Sequence, residues 1–142
     1  MKFMILLKAD QSTEAGDLPS EELIADMMRY NEELVKAGVM VAGEGLQPSS
    51  QGARVRFSGR DRTVTKGPFA TDGLVAGFWI FEVGSLEEAI DWVKRCPNPL
   101  LGDAEIEIRR IFEADDFGEA FTPELRRKEE ELRAQTAARR AT

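Results

Sequence analysis

The stretch Leu74-Val75-Ala76-Gly77-Phe78-Trp79-Ile80-Phe81-Glu82-Val83 decides the fold. Read at the two-residue period of a strand, it is apolar on both sides, with Ala76, Phe78 and Ile80 on one face and Val75, Trp79 and Phe81 on the other. A strand of that kind lies inside a sheet that is covered on both faces. Downstream, Ser85-Leu86-Glu87-Glu88 reads as a capping box, and Leu86, Ala89, Ile90 and Val93 mark the inner face of a helix that stops before Pro97. Ala104 to Phe112 follows as a last strand, with Ile106 and Ile108 opposing Glu105, Glu107 and Arg109.

Upstream, Phe3 to Lys8 is a short apolar run of strand length, and the polar stretch Asp10 to Pro19 reads as a loop. Ser20 caps a helix whose apolar stripe runs through Leu23, Met27, Tyr30 and Leu34, and Gly38 closes it. Val39 to Leu46 predicts a second strand. Ala53 to Lys66 predicts a hairpin turning at Ser58-Gly59-Arg60-Asp61, with Val55 and Phe57 alternating against Arg54 and Arg56. The order is strand, helix, strand, hairpin, strand, helix, strand. That order predicts an α+β, ferredoxin-like sandwich with two helices on one face of an antiparallel sheet. Two helices cover one face only, so the second apolar face calls for a second copy of the chain, a two-fold homodimer. Residues 1–121 form this domain with its hairpin inserted at about 53–66, and Thr122-Pro123 starts a highly charged C-terminal helix over 122–142.

Composition removes whole classes of chemistry. The 142 residues contain no histidine, which excludes Ser-His-Asp and Cys-His nucleophile systems within the chain. A net charge of −7 argues against direct nucleic-acid binding. No apolar run is long enough for a membrane span or a secretory leader, and the single cysteine, Cys96, allows no intrachain disulfide. The expected location is therefore cytoplasmic. Gly43-Glu44-Gly45 lacks the third glycine of a dinucleotide loop, and no carboxylate spacing fits a calcium loop, so no cofactor or metal is expected.

What remains is charge placed on strands. Glu44, between two glycines in a small apolar stretch, is a candidate acid or base, or else a strand-end carboxylate paired with an arginine. The hairpin is locally basic, with Arg54, Arg56, Arg60, Arg62 and Lys66 against Asp61. Arg54, Arg56 and Lys66 are therefore candidate anion-binding groups, or else charges that blunt strand edges. Arg109, with Glu105 and Glu107, is either a pocket wall or part of salt bridges between copies.

Several motifs in one order give the chain a family likeness from Met1 to about Leu132. They are Lys2-Phe3-Met4-Ile5-Leu6-Leu7, Gly43-Glu44-Gly45-Leu46, Arg54-Val55-Arg56-Phe57, Val64-Thr65-Lys66-Gly67-Pro68-Phe69-Ala70, Gly77-Phe78-Trp79, Arg95-Cys96-Pro97 and Glu105-Ile106-Glu107-Ile108-Arg109. The chain resembles the YCII-related family, in the branch named for its Asp-Gly-Pro-Phe (DGPF) motif. The resemblance implies a dimeric α/β barrel of ferredoxin-like subunits. Some relatives in the wider family use a His-Asp pair and are linked to hydrolytic dehalogenation, and some of this branch belong with extracytoplasmic-function sigma factors. Lys66 stands where the motif has aspartate, and Gln47 where relatives often carry histidine. The reading that follows is a non-catalytic small-ligand-binding or protein-interaction module, with a small anionic ligand or a transcription-regulator partner. The alternative is a hydrolase- or isomerase-like enzyme using Glu44 as acid or base, with Arg56 and Lys66 holding an anionic substrate.

Overall fold

The computed structural model describes residues 1–141. It divides into two compact units, Met1–Arg110 and a second from Ile111 on. The first unit is α+β. Strand β1 (Lys2–Lys8) leads through a one-turn helix α1 (Gln11–Glu14) to helix α2 (Glu21–Lys36) and strand β2 (Met40–Gly45). A hairpin of β3 (Ala53–Ser58) and β4 (Asp61–Lys66) follows, then β5 (Val75–Glu82), helix α3 (Leu86–Lys94) and β6 (Ile106–Arg110). The main sheet is antiparallel throughout, in the order β2-β5-β1-β6, consistent with a ferredoxin-like arrangement, while β3 and β4 pair only with each other.

The helix ends follow side-chain chemistry. Ser20 Oγ accepts the Leu23 N–H at 3.1 Å, and Gly38 takes a φ of +71° after the last turn of α2, where a Cβ would be strained. Ser85 Oγ accepts the Glu88 N–H, but the Glu88 carboxylate reaches the N–H of Gly84, one residue before the position a regular capping box uses. The stretch expected to be only loop contains α1, because the Asp10 carboxylate accepts the Thr13 N–H at 2.9 Å while the Thr13 hydroxyl accepts the Asp10 N–H. The first of these, the Thr13 N–H bond to the carboxylate, holds the Asp10 carboxyl below its ordinary range.

Strand register sorts the sheet into two faces. Phe3 and Ile5 pair with Phe81 and Trp79, and these side chains meet Tyr30 and Leu34 of α2 and Ala89 and Trp92 of α3 in one core. The Tyr30 hydroxyl donates to the Trp92 carbonyl at 2.7 Å, and the Trp79 indole N–H donates to Asn31 Oδ1 at 3.0 Å. Tyr30 also meets Trp79 edge to face at 5.9 Å. On the other face, Met4 pairs with Ile80 and Leu6 with Phe78, all four half-buried and outside the core cluster.

The second unit starts eleven residues before the expected boundary of 121/122, for a physical reason. Phe112 stacks on Phe117 at 4.9 Å, and Phe117 meets Phe121 edge to face at 5.5 Å. Arg126 of helix α4 (Pro123–Ala141) then donates to the Phe121 carbonyl and pairs with Asp115 at 3.0 Å. The acidic connector is thereby fastened to the first turn of α4, with which it forms one unit. No helix among the described residues is long and apolar enough to cross a membrane.

Candidate functional site

A cleft of about 410 Å³ opens beside the hairpin, lined by residues from α1, the Leu46–Gly52 segment, the start of β3, Phe69 and the start of β5. That size suits a small molecule. Its frame is a set of hydrogen bonds converging on Ser49. The Glu14 carboxylate accepts the Ser49 N–H at 2.9 Å and also the Ser49 hydroxyl, while Ser49 Oγ accepts the Phe69 N–H at 2.8 Å. Three segments distant in sequence are tied at one residue.

Gly67 explains why the Gly-Pro-Phe run sits here. A Cβ on Gly67 would lie 1.8 Å from the Ser49 carbonyl oxygen, so only glycine lets the two backbones approach, and the Gly67 N–H donates to the Gly52 carbonyl at 3.0 Å. Phe69 then turns its ring under the Arg54 guanidinium, 4.0 Å from the ring centroid. Arg54 is thus held in place at the cleft by stacking. It forms no ion pair among the described residues.

The other candidates are placed elsewhere. Arg56 follows Arg54 on the same ribbon face, opposite Thr63, and does not line the cleft. Lys66 lies across from Ala53, on the opposite ribbon face with Val55 and Val64. It has no carboxylate partner among the described residues. Within one chain, therefore, Arg56 and Lys66 do not converge.

Glu44 and Arg109 both belong to the second sheet face, where Glu44 pairs with Phe78 and Arg109 with Met4. They stand on the two edge strands, three strand spacings or about 14 Å apart. Glu44 is exposed and has no ion-pair partner among the described residues, so the strand-end carboxylate paired with an arginine is not what is found. Gly43 makes room for the Trp79 indole, whose Cδ1 would lie 2.8 Å from an added Cβ. Glu107 bridges Lys8 at 3.3 Å and Arg109 at 3.4 Å, and the hydrogen bond from Lys8, then that from Arg109, holds its carboxyl below the ordinary range.

Sequence reasoning did not single out Glu14, Ser49 or Phe69 as one group. Asp10-x-x-Thr13, a capping pattern, was the local signal that Glu14 sits on a helical turn. Its contact with Ser49 spans 35 positions and has no local signal.

The YCII-related domain model matches residues 1–115. An uncharacterized protein of Rhizobium meliloti (strain 1021) is 29% identical over 114 residues, covering 78% of this chain and 92% of that protein. The match takes in every strand and helix of the first unit as well as the cleft residues, and on that extent the chain belongs to the YCII-related domain family.

Proposed function

We propose that this protein is a non-catalytic small-ligand-binding module of the YCII-related family, taking a small anion at Arg54. The observation that carries the reading is the state of the two charges in the cleft. The Glu14 carboxylate is engaged by both the N–H and the hydroxyl of Ser49, whereas the Arg54 guanidinium is positioned on Phe69 with no carboxylate partner. A guanidinium so held is preorganised for an anion. With no histidine in the sequence and Glu14 tied to the scaffold, general acid-base work has no evident agent there. The enzyme reading built on Glu44, Arg56 and Lys66 requires residues that a single chain keeps on different faces.

The same reading includes a cytoplasmic homodimer, a dimeric α/β barrel with sheets face to face, and membership of the DGPF branch with Lys66 in place of its aspartate. Supporting it is the layout of the second sheet face. Met4, Leu6, Phe78 and Ile80 form an apolar centre, and Glu44, Glu107 and Arg109 stand at its edges, the pattern of an interface core with a charged rim. A transcription-regulator partner would then engage the assembled dimer through the charged second unit.

Two measurements test this. Light scattering at micromolar concentration is expected to give twice the chain mass for the wild type and for Trp79→Phe, and a monomer for Phe78→Asp. Titration with acetate, followed by amide NMR shifts, is expected to move Gly52, Ala53 and Phe69 in the wild type and not in Arg54→Gln. Shifts spread evenly over the exposed arginines of the ribbon would refute a defined site.

A further inference from the structure

We infer that the cleft selects a monocarboxylate with an apolar body, and discriminates against phosphates and dicarboxylates. The inference rests on the anion reading above and narrows it. Beside Arg54 the cleft has an apolar wall from Leu46, Pro48, Phe69, Leu74 and Val75, and, Glu14 apart, its remaining polar lining, Gln47, Ser49 and Gln51, is uncharged. Pro48, Phe69, Leu74 and Val75 are half-buried in the folded unit and Leu46 is exposed, so most of the surface offered to a ligand is already shaped. The charge inventory of the lining is one guanidinium, Arg54, and one carboxylate, Glu14, which sums to zero. Ser49 satisfies part of the hydrogen-bonding capacity of Glu14 but leaves its negative charge in place.

A ligand with one anionic group can pair with Arg54 and lay its body along the apolar wall. A second anionic group would share the cleft with Glu14 and find no second cation, because Arg56 lies outside the lining and Lys66 faces the other side of the ribbon. The stacking of Arg54 on Phe69 adds to the selection. The ring occupies one side of the guanidinium at 4.0 Å, and the guanidinium N–H groups can form the paired bonds that a planar carboxylate accepts.

The experiment is a titration series on the full chain with acetate, butyrate, hexanoate, succinate and inorganic phosphate, read by amide NMR shifts and calorimetry. Each methylene buried against the wall strengthens binding about two- to fourfold, so hexanoate is expected to bind at least about tenfold tighter than acetate. Succinate and phosphate are expected to bind no tighter than acetate. Arg54→Gln is expected to abolish the hexanoate shifts, and Leu74→Ser to remove the gain from acetate to hexanoate while leaving acetate binding in place. Phosphate or succinate binding tighter than hexanoate would overturn the ligand class and leave the anion reading standing. Hexanoate binding unchanged in Arg54→Gln would overturn the carboxylate contact. The absence of any shift at Gly52, Ala53 or Phe69 with all five probes would overturn both readings.

Discussion

Replacing Gly67 by alanine isolates the contact on which the cleft is built. The φ of Gly67 is not in the left-handed region, so alanine carries no backbone strain there and its whole cost is steric. The added Cβ would sit 1.8 Å from the Ser49 carbonyl oxygen and 2.6 Å from its carbon, far inside normal van der Waals contact at about 3.5 Å. Both atoms belong to backbone, and the Ser49 carbonyl also accepts the Gly52 N–H at 2.9 Å, so the movement has no flexible side chain to absorb it. Overpacking of this kind costs about 1–3 kcal/mol. Separation of the segments also weakens the Gly67–Gly52 and Phe69–Ser49 hydrogen bonds, at about 1 kcal/mol each. The sum is about 3–5 kcal/mol, or a fall in Tm of roughly 10–20 °C for a unit of this size. Gly73→Ala is the control. Its φ is +71° and no atom lies within 4 Å of the added Cβ, so only left-handed strain of about 1 kcal/mol applies. Thermal and urea melts followed by circular dichroism compare the two. A Gly67→Ala protein that melts within about 2 °C of wild type, or one more stable than Gly73→Ala, would refute the argument.

The ion pairs on β6 and the half-buried thiol give two further expectations. Lys8→Met removes the main cause of the lowered Glu107 carboxyl, and an NMR pH titration should show its midpoint moving up towards 4.5. Because the folded value is depressed, the Glu107 contribution to stability is present above its ordinary pKa and lost as pH falls through the folded value, so the variant should show a flatter acid limb. An unmoved midpoint would refute the Lys8 contact. Burial pushes the Cys96 thiol from 9.0 up to about 11, so alkylation at pH 8 should run about 100-fold slower than in the urea-unfolded chain. The neutral thiol is the favoured form, so its stability contribution is full below pH 9 and lost as pH rises through about 11. Equal alkylation rates folded and unfolded would show the thiol to be open to solvent.

Much of the architecture was legible because it is written in local periods. The two-faced apolarity of Leu74 to Val83 placed β5 inside the sheet, and the alternation of Ile106 and Ile108 against Glu105 and Glu107 gave β6 one polar face. Ser20, Gly38 and Ser85 marked helix ends by chemistry that acts within four residues. The site was less legible because its contacts are long-range. Glu14, Ser49 and Phe69 meet through bonds spanning 35 and 20 positions. Alternation within β3 and β4 puts Arg54 and Arg56 on one face but leaves the register open, and the pairing of Lys66 with Ala53 is what sends the lysine to the other. Similarly, a bulge between Met40 and Ala42 resets the facing of β2, and only with that offset does Glu44 come to oppose Phe78.

The position of β1 also governs when the chain can fold as it is made. Lys2–Lys8 leaves the ribosome before every other strand of the unit, yet both of its ladders are formed with strands from the far end of the unit, Val75–Glu82 on one side and Ile106–Arg110 on the other. A nascent chain that has emerged only as far as β4 carries its hairpin and α2 but not a single neighbour for β1. Its N-terminal apolar strand stays exposed through most of synthesis, and the sheet closes only once Arg110 clears the exit tunnel. With synthesis at about 5–20 residues per second, that interval is several seconds to tens of seconds. Protection of Phe3 to Leu7 is then needed until Val75–Glu82 has emerged, and a slowed codon run before β5 would lengthen exposure without helping the fold.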